Sequence, residues 1–181
     1  MNHPLETFRF CPRCGSDRWV INNIKSKHCC DCGFTFYANP SAATAAFIVR
    51  KRSDESCELL TVRRAKDPAK GTLDLPGGFV DMDETAEQGM LREIAEETGL
   101  TVTSCRYMFS IPNLYEYSGM TIHTLDMFYL CEPPVGAEPH AADDAAECFW
   151  IPVADVCPQD FGLRSIRQAV ERFMVSGMIA L

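Results

Sequence analysis

Between residues 77 and 100 the chain reads GGFVDMDETAEQGMLREIAEETGL, and this stretch restricts the fold more than any other. Thr85 with Gln88 three residues on has the form of a capping box. Ala86, Met90, Ile94 and, less regularly, Leu91 supply an apolar stripe at helical spacing, and Gly99 stops the helix. Residues three and four apart share a helix face, so Glu93, Glu96 and Glu97 are expected to converge with Arg92 beside them. Three like charges weaken a helix, and a cation among them removes the difficulty; a plain solvated acidic face is the alternative. Hard divalent ions such as Mg²⁺ take such oxygen ligands and complete their shells with water and substrate phosphates.

The spacing around this helix is specific. Gly78 is followed by five residues and Glu84, then by seven residues and Arg92-Glu93-Ile94-Ala95-Glu96-Glu97-Thr98-Gly99-Leu100. The segment matches the Nudix box in full, and from about Ala42 onward the chain resembles a Nudix hydrolase. That resemblance implies an αβα sandwich and a loop-helix-loop motif that binds Mg²⁺ or Mn²⁺ and hydrolyses a diphosphate linked to another moiety. Carried over by position, it makes Glu93, Glu96 and Glu97 the metal ligands and Glu97, or a carboxylate outside the box, the general base. Glu84 and Arg92 hold the motif together, and Gly77 and Gly78 permit its tight loop.

The remaining elements fit this expectation. AATAAFIVRK and ELLTVRR read as strands, KDPAKGTLDLPGG as a loop, and VTSCRYMFSI, TIHTLDMFYLCE and ECFWIPVA as further strands. SIRQAVERFMV places Ile166, Ala169, Val170, Phe173 and Met174 on one stripe, an amphipathic helix packing on a sheet. The fold class is therefore α/β, a Nudix-like αβα sandwich with a mixed sheet.

A small module precedes it. Of ten cysteines, five lie between Cys11 and Cys32, and Cys11-x-x-Cys14 is answered by Cys29-x-x-Cys32, each pair followed by a glycine. Such knuckles close a tetrahedral four-thiolate site for structural Zn²⁺, leaving Cys30 free. His28 stands beside a shell already filled by four sulfurs. A module this short has too little apolar surface to fold alone, so metal binding supplies its folding free energy. The expected domains are a zinc ribbon at 1–38 and a hydrolase domain at 39–181, with Asn39-Pro40 as the turn between them. Cys57, Cys105, Cys131, Cys148 and Cys157 read as small core residues.

Charge and hydropathy narrow the partners. A net charge of -8 and a pI near 5.0 argue against a broad nucleic-acid face. No charged-then-apolar leader is present and no apolar run approaches the ~18 residues of a membrane span, so the expected location is cytoplasmic.

Other site candidates lie outside the box. Arg63 and Arg64, ending a strand, either reach phosphate or are two exposed strand-end cations, and Tyr115, Tyr117 and Phe128 either stack on a base or build the core. Glu147, just before an aromatic strand, resembles an additional metal-binding Glu of many Nudix enzymes; a solvated strand-edge acid is the alternative. Asp126 and Glu116 are weaker candidates, and His123 reads as a half-buried structural histidine.

The ribbon-plus-domain layout is similar to NADH pyrophosphatases and to zinc-ribbon FAD or ADP-ribose pyrophosphatases. Where NADH pyrophosphatases carry Ser-Gln-Pro-Trp, however, the comparable region here reads Phe109-Ser110-Ile111-Pro112-Asn113-Leu114-Tyr115. The expected substrate is a small-molecule nucleotide X-diphosphate-Y split into two monophosphates, with ADP-ribose, FAD and NADH as the shortlist. The rival readings are a house-cleaning nucleoside triphosphate pyrophosphohydrolase and a nucleotide-sensing or RNA-binding protein. Members of the family that the chain resembles often dimerise, so a homodimer is among the expected partners.

Overall fold

The computed structural model describes residues 3–102 and 104–175. The two cysteine knuckles frame β1 (Trp19–Asn23), β2 (Ser26–Cys29) and β3 (Thr35–Tyr37), a three-stranded antiparallel sheet. Among the described residues its buried apolar cluster is Cys11, Trp19 and Cys29, with Cys32 and Phe34 packed against it. Trp19 stacks on Phe34 with ring centroids 6.1 Å apart. So small an apolar core needs a further source of stability.

The larger sheet contains β4 (Ser41–Lys51), β5 (Cys57–Arg64), β6 (Leu73–Asp74), β7 (Cys105–Tyr117), β8 (Met120–Cys131) and β9 (Ala145–Pro152). Its order is β6-β5-β4-β8-β7, and β9 pairs with β5. β4 and β8 run parallel from Ser41 opposite Thr124 to Ile48 opposite Cys131, and the other pairs are antiparallel. Alternation along β4 distributes its side chains to two helices. Ala46 and Ile48 join Met90 and Ile94 of α1 (Ala86–Thr98), while Ala45, Phe47 and Val49 join Ile166, Val170 and Phe173 of α2 (Arg164–Val175). Phe47 stacks on Phe173 at 4.3 Å. Each large apolar side chain buried this fully contributes about 1.5–3 kcal/mol. The expected αβα sandwich with a mixed sheet is the fold observed.

Two departures from the sequence expectations shape the site. β7 continues six residues past Ile111, to Tyr117, although Pro112 lies within it. Proline is tolerated because β7 ends the sheet order and needs hydrogen bonds on one side only. Ser118 and Gly119, at φ of 50° and 75°, then make the two-residue turn into β8. Thr103, expected in this strand, lies outside the described residues, as do the outer ends of the expected domains 1–38 and 39–181. The second departure is the loop before α1. β5 pairs with β4 only from Val49 to Lys51, so the first half of β4 has an edge to spare, and the glycine loop occupies it. Thr44 N–H donates to Gly78 O (2.8 Å), Ala46 N–H to Pro76 O (2.8 Å) and Val80 N–H to Ala42 O (3.1 Å). No described helix is long and apolar enough to cross a membrane.

Candidate active site

The ends of α1 form as its sequence dictates. Thr85 Oγ1 accepts from Gln88 N–H (3.2 Å), Gln88 Oε1 accepts from Thr85 N–H (2.8 Å), and Gly99 closes the helix at φ 68°. These caps fix the rotation of the helix and so the direction of its acidic face. Arg92 crosses that face. Its Nε and Nη2 donate to the two oxygens of Glu84 (2.8 and 3.0 Å), and Nη2 also donates to Phe79 O (3.0 Å). Its Nη1 bridges Glu93 (2.9 Å) and Glu96 (3.0 Å). Glu84 in return holds the loop through Asp81 N–H at 3.0 Å. Glu84 and Arg92 thus tie the loop to the helix.

Glu97 turns away from Arg92 into the interior, where Gly77 N–H donates to its Oε2 (3.0 Å). Burial pushes its carboxyl up to about 8, and the charges of Asp74, Glu93 and Asp144 act in the same direction against the single Gly77 donor. Glu93 is also raised, first by burial, with Arg92 opposing. Both glycines are required by close approach. A Cβ on Gly77 would lie 2.1 Å from Thr44 O, and one on Gly78 would lie 2.5 Å from Glu93 Cδ.

Two aspartates that the sequence did not single out join this cluster. The C-terminal carbonyls of α1 have no partners within the helix, and a following loop supplies them. Ala142 N–H donates to Glu97 O (3.0 Å) and His140 N–H to Thr98 O (2.8 Å). The loop thereby carries Asp143 and Asp144 to the cavity that Glu93, Glu96 and Glu97 line. That cavity holds about 380 Å³, within the range of small-molecule sites. Eight carboxylates and only two arginines, Arg64 and Arg92, line it.

The other expected site residues divide. Gly77, Gly78, Arg64, Tyr115, Tyr117 and Asp126 line the cavity. Arg64 is bound to Asp74 (Nη1 to Oδ2, 2.5 Å), to Pro68 O (2.7 Å) and, at 3.4 Å, to the Tyr115 hydroxyl. Arg63 and Glu147 do not line it. They pair with each other across β5 and β9 at 2.9 Å, and Arg63 lies over the Phe149 ring. Cys148 and Trp150 pack toward α1 and Phe149 and Ile151 toward α2, so Glu147 falls on the strand face turned from the helix glutamates. Phe128 is core. Glu116 accepts from Thr121 Oγ1 (2.6 Å) and with His123 lines a separate cavity near His3 and Glu6. The sequence reading did not single out Phe79, Asp74, Thr44 or Asn113 as site residues, yet all line the main cavity. Phe79 meets Tyr115 edge to face at 5.8 Å.

The donors available suit a hard cation: buried and half-buried carboxylates in excess of positive charge, with a side-chain-free position at Gly78 against Glu93. The tightest cluster is elsewhere. Among the described residues, only Cys11, Cys14, Cys29 and Cys32 bring three or more possible ligand atoms within 4.8 Å of one another. Cys11 and Cys32 sulfurs are 3.7 Å apart and those of Cys14 and Cys29 3.6 Å. A tetrahedron of zinc–sulfur bonds has edges of about 3.8 Å. Gly15 and Gly33, at φ 76° and 72°, turn their N–H groups back to Cys11 O and Cys29 O. Cys30 is exposed and outside the cluster, and His28 bonds Thr35 Oγ1 (2.9 Å).

The NUDIX domain model matches residues 40–173. A curated relative, the NAD-capped RNA hydrolase NudC of Haemophilus influenzae, is 32% identical over 120 residues, covering 66% of this chain and 44% of the relative. The ADP-ribose pyrophosphatase of Methanocaldococcus jannaschii is 33% identical over 116 residues, 63% of each chain. Among solved structures, a NUDIX hydrolase from Nitrosomonas europaea superposes with a TM-score of 0.70 at 20% identity, covering 95% of this chain and 93% of that one. The chain thus spans less than half the length of the first of these relatives.

Proposed function

The chain belongs to the Nudix family, and on that premise we propose that it hydrolyses the diphosphate of a nucleoside diphosphate linked to another moiety, of the ADP-ribose, FAD or NADH type, to two monophosphates. The observation that carries this reading is the one cavity joining Glu93, Glu96 and Glu97 to Asp143, Asp144 and Arg64. A site with so many carboxylates for two arginines, both already engaged, admits a polyphosphate only together with divalent cations.

Glu93, Glu96 and Glu97 would hold Mg²⁺ or Mn²⁺, which when bound offsets phosphate charge and acidifies a water. Arg92, anchored by Glu84, sets the separation of Glu93 and Glu96. Glu97 is positioned through Oε2 by Gly77, leaving Oε1 to take a proton from the attacking water. Arg64, fixed by Asp74, directs its remaining N–H groups toward a phosphate oxygen, while Tyr115 and Phe79 offer ring surfaces to a base. Glu147 is a less direct participant, since its carboxylate is paired with Arg63. Cys11, Cys14, Cys29 and Cys32 would hold Zn²⁺ as a structural ion, and four reduced thiols suit the cytoplasm.

The names of the relatives bear on the shortlist: one acts on ADP-ribose, which the shortlist contains, and the other on NAD-capped RNA, which extends it. A capped RNA end presents the same dinucleotide diphosphate, so the overall negative charge of the chain is a weaker bar to nucleic acid than the sequence reading held. A homodimer remains part of the proposal, with β7 offering a strand edge. The test is an Mg²⁺-dependent screen of ADP-ribose, FAD, NADH, NAD-capped RNA and nucleoside triphosphates with products identified. Two monophosphates per turnover support the reading; inorganic pyrophosphate from triphosphates alone would replace it with the house-cleaning activity. Metal-dependent binding without turnover would make the protein a sensor.

A further inference from the structure

The part of the cavity formed by β7 and β8 contains groups that the hydrolytic chemistry does not use. Asn113 and Thr124 are cross-strand partners, and Asp126 lies two residues further along β8 on the same sheet face. The Asp126 carboxylate accepts from Asn113 Nδ2 (3.1 Å), Thr124 Oγ1 (2.6 Å) and Ser165 Oγ of α2 (2.5 Å), all neutral donors. A carboxylate so engaged only accepts, which orients the amide: Nδ2 must face Asp126, and Oδ1 is left as an acceptor. Oδ1 has no hydrogen-bond partner among the described residues, nor has the hydroxyl of Thr44. Asn113 is 6% exposed and Thr44 3% exposed, and both line the cavity. Buried polar atoms in folded proteins are nearly always paired; orphans in a cavity wall mark where a bound molecule supplies the partner.

Charge decides which part of the molecule that is. Asp126 and Asn113 present oxygens, so a phosphate here would meet like charge and an unsatisfied acceptor. The anhydride therefore lies toward the helix glutamates, and this wall meets the ring at one end of the substrate. We propose that Asn113, oriented by Asp126, is a specificity-determining residue whose amide oxygen accepts a hydrogen bond from the N–H₂ group of that ring, the amine of an adenine or the carboxamide of a nicotinamide. The inference rests on the diphosphate-hydrolase reading. It also gives a role to the segment in which the sequence departs from the NADH pyrophosphatase pattern.

The experiment compares kcat/KM for two substrate pairs that differ only at this group: ADP-ribose against its hypoxanthine analogue, and NADH against its deamidated, carboxylate analogue. The wild-type protein is expected to favour the N–H₂-bearing member of one pair by roughly 10- to 100-fold, and the pair that responds identifies the ring. Asn113→Ala is expected to remove most of that preference. Equal turnover within both pairs by the wild type, a comparison that needs no variant, overturns the subsite while leaving the hydrolase reading intact. Full preference retained by a folded Asn113→Ala protein also overturns it. Turnover of FAD or NAD-capped RNA but of none of the four compounds overturns this inference and leaves the hydrolase reading, whereas turnover of none of these compounds removes both.

Discussion

Gly78 stands against the carboxyl group of Glu93 so closely that an added methyl would sit 2.5 Å from its Cδ, whereas the same methyl on Gly77 would meet the backbone of Thr44 and Ala45. The two glycines should therefore fail differently. Gly78→Ala displaces only the end of a flexible side chain, so the melting temperature should hold while Mg²⁺ affinity and turnover fall. Gly77→Ala forces β4 and the loop apart and should cost about 2 kcal/mol or more of stability. Thermal melts and Mg²⁺ titrations of the two variants check this contrast.

Glu97 gives the metal-free protein a defined pH dependence. Its carboxyl lies at about 8 in the folded state against an ordinary 4.5. Between those values the folded chain holds a proton that the unfolded chain has released, so metal-free stability should fall as pH rises through this window and level off above it. The carboxyls of Glu58 and Glu84, lowered chiefly by Arg50 and Arg92 respectively, act in the opposite sense but below the window. Melting temperatures in Mg²⁺-free buffer across the window should show the decline, and Glu97→Gln should lessen it, leaving the part that the burial-raised carboxyls of Glu93 and Asp74 contribute, while abolishing turnover.

The neighbouring arginines should separate cleanly. Arg64 pairs with the buried Asp74, and Arg64→Ala would leave that carboxylate without its cation, costing about 3 kcal/mol. The Arg63–Glu147 pair is half exposed, and Arg63→Ala should change stability by less than about 1 kcal/mol with kcat/KM near wild type. Urea melts and kinetics on the two proteins decide this; a large catalytic loss in folded Arg63→Ala would bring β9 back into the site.

Metal analysis should find one zinc per chain, and Cys11→Ser or strong chelation should unfold β1 to β3. Trp19 is buried against Phe34, so its emission should shift to the red on metal loss. The circular dichroism of the larger domain should remain if the two cores are independent.

What the sequence disclosed follows from the range of each signal. α1 and its caps were legible because Thr85, Gln88, Met90, Ile94 and Gly99 act within one helix. The four cysteines were legible because each knuckle is local and the two repeat. Asp143, Asp144, Asn113 and Thr44 were not, since each reaches the cavity through register or through a loop satisfying the carbonyls of a distant helix. β7 was cut short at Ile111 because Pro112 reads as a strand breaker when the strand's place at the end of the sheet is unknown. Glu147 and Asp144 are close in sequence, and only the pleat of β9 and the path of the preceding loop separate their surroundings.

The place of β7 at the end of the sheet has an evolutionary consequence. The glycine loop that holds Glu97 through Gly77 and Arg92 through Phe79 is bonded to β4, a strand with neighbours along both sides, whereas Asn113, Tyr115 and Tyr117 hang from a strand with one neighbour. Mutations can accumulate on this outlying strand and redirect the protein to new compounds while its bond-breaking apparatus is inherited unchanged.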